Sequence, residues 1–187
     1  MNRCFPDMPN CCRMNKLITV VLAVFLVACD TPVQEHNSPE PDLAQEQFVK
    51  ANQYMQRRHQ DHIAAFVDRV GWNAKTTPSG LWIVVEEAGK GAKIDMNNQV
   101  TFTFSSTLLD GKPCYEATER NPKQVVVGKG GIESGVEEGL RHLSPGSRAI
   151  FLIPPHLAHG NFGDRDKIPG NSVLIYSIEV KEVRRGL

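Results

Sequence analysis

The chain has 187 residues, of which 41% are hydrophobic and 22% charged, enough for one ordinary core plus an appendage. Its 21 basic and 21 acidic side chains cancel, so the basic excess of a nucleic-acid binder is missing. No apolar run reaches the roughly 18 residues that argue for a membrane-spanning helix.

In chain order, the first signal is Leu17 to Ala28, an apolar stretch broken only by Thr19 and preceded by Arg13 and Lys16. A short apolar segment after a basic patch reads as a secretory signal peptide, residues 1–28. Its end, Leu26-Val27-Ala28-Cys29, resembles a bacterial lipobox, so Cys29 is expected to carry lipid. Met14 is an alternative start to Met1, because residues 1–13 add nothing that an export signal needs. Cleavage would remove Cys4, Cys11 and Cys12, and Cys114 would be the one remaining unmodified thiol. No intrachain disulfide is therefore expected. Residues 29–41 hold three prolines among mostly polar residues and read as a disordered tether.

The segment 42–76 is expected to be helical. Phe48, Ala51, Met55, His59, Ile63, Phe66, Val67 and Val70 recur every three or four residues, with Asp42 as N-cap and Gly71 as the stop. One helix, or two broken near 58–61, fits the pattern. The stripe is expected to be covered, either by the chain's own sheet or by a partner or second copy. His59 and His62, at i and i+3, read as a surface pair and not as metal ligands, because no third ligand has suitable spacing.

From Leu81 onward the period changes to that of strands. Residues 81–87, 100–104, 124–127, 148–153 and 172–183 are predicted as five strands, with Val173 and Ile175 facing the core. Asp110-Gly111 carries a hairpin signal, for which a type I′ turn is expected. Gly128 to Gly131 is a glycine-rich bend into a helix over 132–142, and 154–170 is a long irregular loop. Strands with antiparallel signals and one short helix predict an α+β fold in a domain spanning 77–187.

Four pieces then occur in order: Leu109-Asp110-Gly111-Lys112; Val127-Gly128-Lys129; Gly135-Val136-Glu137-Glu138-Gly139-Leu140; and Pro145-Gly146-Ser147-Arg148-Ala149. Leu152 to Gly160, Ile168-Pro169 and Leu174 to Val180 complete the set. Together, over about 81–184, this series resembles the FKBP-type peptidyl-prolyl isomerases. The helical segment ending in Gly71-Trp72 is further similar to lipoprotein members of that family from Bacteroidetes-type bacteria.

The resemblance implies a half-barrel antiparallel sheet wrapped on one short helix, with an aromatic-lined pocket between them. It also implies an isomerase that needs no cofactor, metal or nucleophile. The pocket tyrosine of the family falls on Phe104, its Phe-Asp pair on Cys114 and Tyr115, and a one-residue slip would put Tyr115 on the wall. The Val-Ile pair before the helix falls on Ile132 and Glu133, whose backbone N–H is a donor for a substrate carbonyl. The floor tryptophan falls on Val136, and the loop tyrosine that bonds the substrate carbonyl falls on His159. Val126, Ile168 and Tyr176 match pocket positions, and Leu157 lies beside them. Read this way, the scaffold is intact, while the pocket has lost aromatic area and its buried carboxylate. Two functions follow: a lipid-anchored isomerase acting on proline-containing polypeptides in the cell envelope, on the periplasmic side or outer membrane, or a weakly catalytic binding module of an envelope assembly. A dimer would form through the Phe48, Phe66 and Val70 face of the helical segment.

Overall fold

The computed structural model describes residues 43–186, so the expected signal peptide, Cys29, the tether and the Asp42 cap lie outside the described residues. One uninterrupted helix, α1, runs over Leu43–Val70 and stops at Gly71, whose φ of 71° is the left-handed turn that ends a helix. Seven strands follow: β1 (Lys75–Thr76), β2 (Trp82–Glu87), β3 (Gln99–Leu108), β4 (Pro113–Ala117), β5 (Lys123–Val126), β6 (Arg148–Ile153) and β7 (Leu174–Arg184). A short helix α2 (Ser134–Leu140) and a 3-10 turn (Pro155–Leu157) complete the fold. Among the described residues, no helix is long and apolar enough to cross a membrane.

The sheet is antiparallel throughout, in the order β1-β2-β6-β7-β3-β4, with β5 also pairing β3. Two strands are additions to the five expected. β1 is two residues long and lies inside the segment expected to be helical, yet it pairs with Trp82 and Ile83. β4 is too short, and too interrupted by Pro113, to show a period. The hairpin between β3 and β4 is not a type I′ turn. Gly111 alone has positive φ, at 90°, its N–H donates to Leu108 O, and Lys112 N donates to Asp110 Oδ1. That is a type I turn followed by a glycine bulge, so Asp110 keeps an ordinary backbone.

Alternation along the strands divides the core in two. Ile83, Val100, Phe102, Ala149, Phe151, Ile153, Tyr176 and Ile178 face α2, against Val136 and Leu140. The opposite face presents Val84, Ile150 and Leu152 to Ile63 and Val67 of α1, with Phe66 and Trp72 at the margin. Being covered on both faces explains why β6 is apolar at five consecutive positions. Val173 and Ile175 face the part of the core on the α1 side.

The chain's own sheet covers only part of the α1 stripe. Ile63 and Val67 are buried and Phe66 packs at their margin, whereas Phe48 and Val70 of the stripe, with Val49 and Tyr54 beside it, are exposed.

A polar clasp fixes the covered half. Gln60 accepts from the Trp82 indole N–H at 2.7 Å and donates to Gly80 O at 2.9 Å. Gln60→Ala removes both bonds at once and should cost about 1–3 kcal/mol, read as a lower melting midpoint. An unchanged midpoint would mean that water replaces the clasp without loss.

Candidate functional site

A cavity of about 520 Å³ opens between the sheet and the N-terminus of α2. Its walls include Phe104, Tyr115, Ile132, Glu133, His159 and Tyr176, so six of the expected site residues meet there. Phe104 and Tyr176 are brought together because their strands pair, and their ring centroids lie 5.1 Å apart with planes tilted 31°. Ile132 and Glu133 arrive on the bend into α2. His159 arrives on the loop after β6. A larger groove of about 720 Å³ behind α2 has charged walls, including Lys93, Glu137 and Arg141, and none of the aromatic rings.

Several expected residues take other places. Val126 pairs with Gln99 and forms no part of the cavity wall, whereas Val125, opposite Val100, is in the core. Neighbouring residues on a strand face opposite sides, so of the two it is Val125 that enters the core. Val136 is fully buried in the core and forms none of the cavity wall. Ile168 is likewise in the core, and Leu157 packs on its edge. Cys114 is buried in the core while Tyr115 is on the wall, which is the slipped alternative. Burial, and after it the charge of Asp164, pushes the Cys114 thiol pKa up, away from nucleophile chemistry.

The carboxylate that the family pattern had seemed to lose is present, on a different element. Glu133 is the N-cap residue of α2, but its side chain makes no capping bond. It turns inward instead, where its Oε1 accepts from the Tyr176 hydroxyl at 2.7 Å and lies 3.0 Å from His159 Nε2. Burial, then the Glu133 charge and hydrogen bond, hold the Tyr176 hydroxyl well above the usual tyrosine range, so it stays a neutral donor. The backbone N–H of Glu133, at the helix start, has no intrahelical acceptor and is available to a ligand.

The loop over 154–170 is latched to β4. The Tyr115 hydroxyl donates to Asp164 Oδ2, Lys167 Nζ donates to Cys114 O at 3.0 Å, and the same ammonium lies 5.0 Å from the Tyr115 ring centroid. The Tyr115 hydroxyl pKa is raised, first by its bond to Asp164.

Sequence reading missed Asp164 as an organiser and Glu116 and Lys123 as cavity walls. Lys123 was findable in principle, since it opposes Phe102 on β3, but only once the register is known. Among the described residues, no three His, Cys, Asp or Glu cluster as metal ligands. The neighbouring His62, His156 and Arg58 charges, after burial, lower the His59 pKa.

Asp164 supplies a pH test. Burial alone would raise its carboxyl pKa, but the Tyr115 hydroxyl and the N–H groups of Asp166 and Ile168 outweigh this and hold it at about 2, against 3.8 ordinarily. A depressed carboxylate stabilises the fold fully above its unfolded value and loses that contribution as pH falls through the folded one. The loop should therefore loosen between about pH 4 and pH 2, seen as faster amide exchange at Ile168. In Asp164→Asn that pH step should be absent.

An antiparallel half-barrel wraps one short helix, and its cavity sets aromatic rings beside the backbone N–H at the start of that helix. The FKBP-type peptidyl-prolyl cis-trans isomerase family matches residues 90–181. Fkbp12 of Drosophila melanogaster is 35% identical over 106 residues, covering 56% of this chain and 98% of that protein. A probable FKBP-type isomerase of Haemophilus influenzae is 35% identical over 114 residues, covering 60% of this chain and 46% of its own length. The crystal structure of FkpA from Escherichia coli superposes with a TM-score of 0.58 at 26% identity, covering 93% of this chain and 83% of that one. The chain belongs to the FKBP-type peptidyl-prolyl cis-trans isomerase family. It spans about half the length of curated bacterial relatives that it matches.

Proposed function

We propose that this chain catalyses cis–trans isomerisation of Xaa-Pro bonds in polypeptides of the cell envelope, held at a membrane by lipid on Cys29. The observation that carries the catalytic part is the cavity itself, where Phe104, Tyr176 and Ile132 flank the free N–H of Glu133. Rotation about an Xaa-Pro amide crosses about 20 kcal/mol, because the twisted state loses resonance. No bond is exchanged. A cavity that buries the prolyl ring and fits the twisted amide better than either planar form lowers that barrier.

A protease-coupled assay with a Leu-Pro peptide tests this, and folded protein should accelerate the slow phase. Folded protein that accelerates no Xaa-Pro peptide overturns the enzymatic reading and favours the second one, a binding module. That alternative draws on one observation: the His159 and Tyr176 donors are both engaged by Glu133.

The anchoring part rests on the Leu26-Val27-Ala28-Cys29 ending of a short apolar segment. Protein from its host should fractionate with membranes and carry a lipid mass at Cys29, and Cys29→Ser should abolish both. A free N-terminal thiol in the wild type would overturn it.

A further inference from the structure

Glu133 occupies an unusual position for a charged group. Its side chain is 14% exposed and His159 is 27% exposed, yet among the described residues no Lys or Arg pairs with the Glu133 carboxylate. Its partners are a neutral hydroxyl and an imidazole. A largely buried carboxylate with no permanently charged Lys or Arg beside it favours a ligand that brings such a cation over one that repeats the carboxylate's own charge.

The two donors beside the rings also define which substrate residue comes close. A prolyl ring seated against Phe104 and Tyr176 is flanked by two carbonyls, its own and that of the residue before it. The helix-start N–H of Glu133 suits one and His159, on the loop across from it, suits the other. A residue whose carbonyl accepts from His159 sits within reach of Glu133 for a long side chain, because His159 Nε2 and Glu133 Oε1 are only 3.0 Å apart.

We propose that Glu133 makes the cavity select proline peptides whose residue before the proline is Lys or Arg. This deepens the isomerase reading and rests on it. A cationic side chain pairs with the Glu133 carboxylate and displaces the imidazole, and the freed His159 Nε2 then serves the substrate carbonyl. An acidic residue at that place meets the carboxylate and leaves both donors engaged. The remaining charged wall residues, Glu116 and Lys123, oppose each other in sign, so Glu133 decides the balance.

The test compares acetyl-Ala-Xaa-Pro-Phe-p-nitroanilide peptides with Lys, Leu or Glu before the proline. The expected kcat/KM on wild type is about tenfold higher for Lys than for Glu, and Glu133→Gln should bring the two within about twofold. Glu116→Gln should move the ratio less. Equal rates for Lys and Glu on wild type overturn the proposal even if the Gln variant does not fold. A ratio that survives in folded Glu133→Gln overturns it too, as does a larger effect of Glu116→Gln. Chemical-shift titration with the same peptides separates the two claims. If no peptide is isomerised but Lys-Pro binds more tightly than Glu-Pro, the enzymatic reading fails and the role of Glu133 stands.

Discussion

Tyr176→Ala is expected to abolish measurable isomerase activity and to lower stability by about 3–5 kcal/mol, roughly 10 °C in melting midpoint for a domain of this size. Tyr176 is 2% exposed and packs in the core beneath the cavity, on a strand paired on both sides. Its removal opens a void between Phe104 and the helix start, and the wall that would bury a prolyl ring goes with it. It also takes away the hydroxyl that bonds Glu133 at 2.7 Å, leaving that carboxylate with His159. Tyr176→Phe separates the two effects. It keeps the ring and loses one hydrogen bond, at a cost of about 1–3 kcal/mol. If the alanine and phenylalanine variants lose activity equally, the hydroxyl matters and the ring does not, contrary to a mechanism based on the shape of the cavity. Circular-dichroism melts and the coupled assay read both.

The second large effect is expected at Gly139. Gly135 and Gly139 lie one turn apart on α2 and let it sit directly on β6. A Cβ at Gly139 would lie 2.4–2.7 Å from the Phe151 ring, and one at Gly135 would lie 2.4 Å from Ile153 Cγ2. Alanine in place of a mid-helix glycine ordinarily gains about 0.5–1 kcal/mol. Here Gly139→Ala should instead destabilise, by about 1–3 kcal/mol, because Phe151 is fully buried with nowhere to withdraw. The consequence reaches the site. Pushing α2 off the sheet also moves Ile132 and the Glu133 N–H, so kcat/KM should fall in the natively folded fraction as well. A Gly139→Ala protein that melts higher than wild type would show that the helix does not rest on that ring.

Much of the scaffold was legible in the chain itself. The spacing from Phe48 to Val70 carries the 3.6-residue period, with one helix or two left open, and Gly71 is the residue that ends it. Period-2 alternation around Val100 to Phe104, and the ordered motifs from Asp110 to Val180, led to the fold family, because such patterns depend only on neighbours in sequence. The pocket rings Phe104 and Tyr176 came with them, since motif spacing places both.

What needed the tertiary structure was every feature that depends on distant neighbours. Val125 and Val126 are alike in chemistry, and only pairing of β5 with β3 decides which one faces inward. Cys114 and Tyr115 are sorted in the same way by β4, which is too short to reveal its own phase. The α1 stripe is continuous in sequence, but only Ile63 and Val67, which meet Val84, Ile150, Leu152 and Val173, are buried in it. Glu133 is the strongest case. As the N-cap residue of α2 it stands where a side chain ordinarily turns back to the helix's first N–H groups. Two donors 26 and 43 residues away, on the loop and on β7, turn its carboxylate into the cavity. Local sequence determined that a pocket of this family would form. The folded chain decided what charge it holds, because hydrogen bonds to a buried carboxylate are set by whichever donors the topology brings within 3 Å, wherever they lie in the chain.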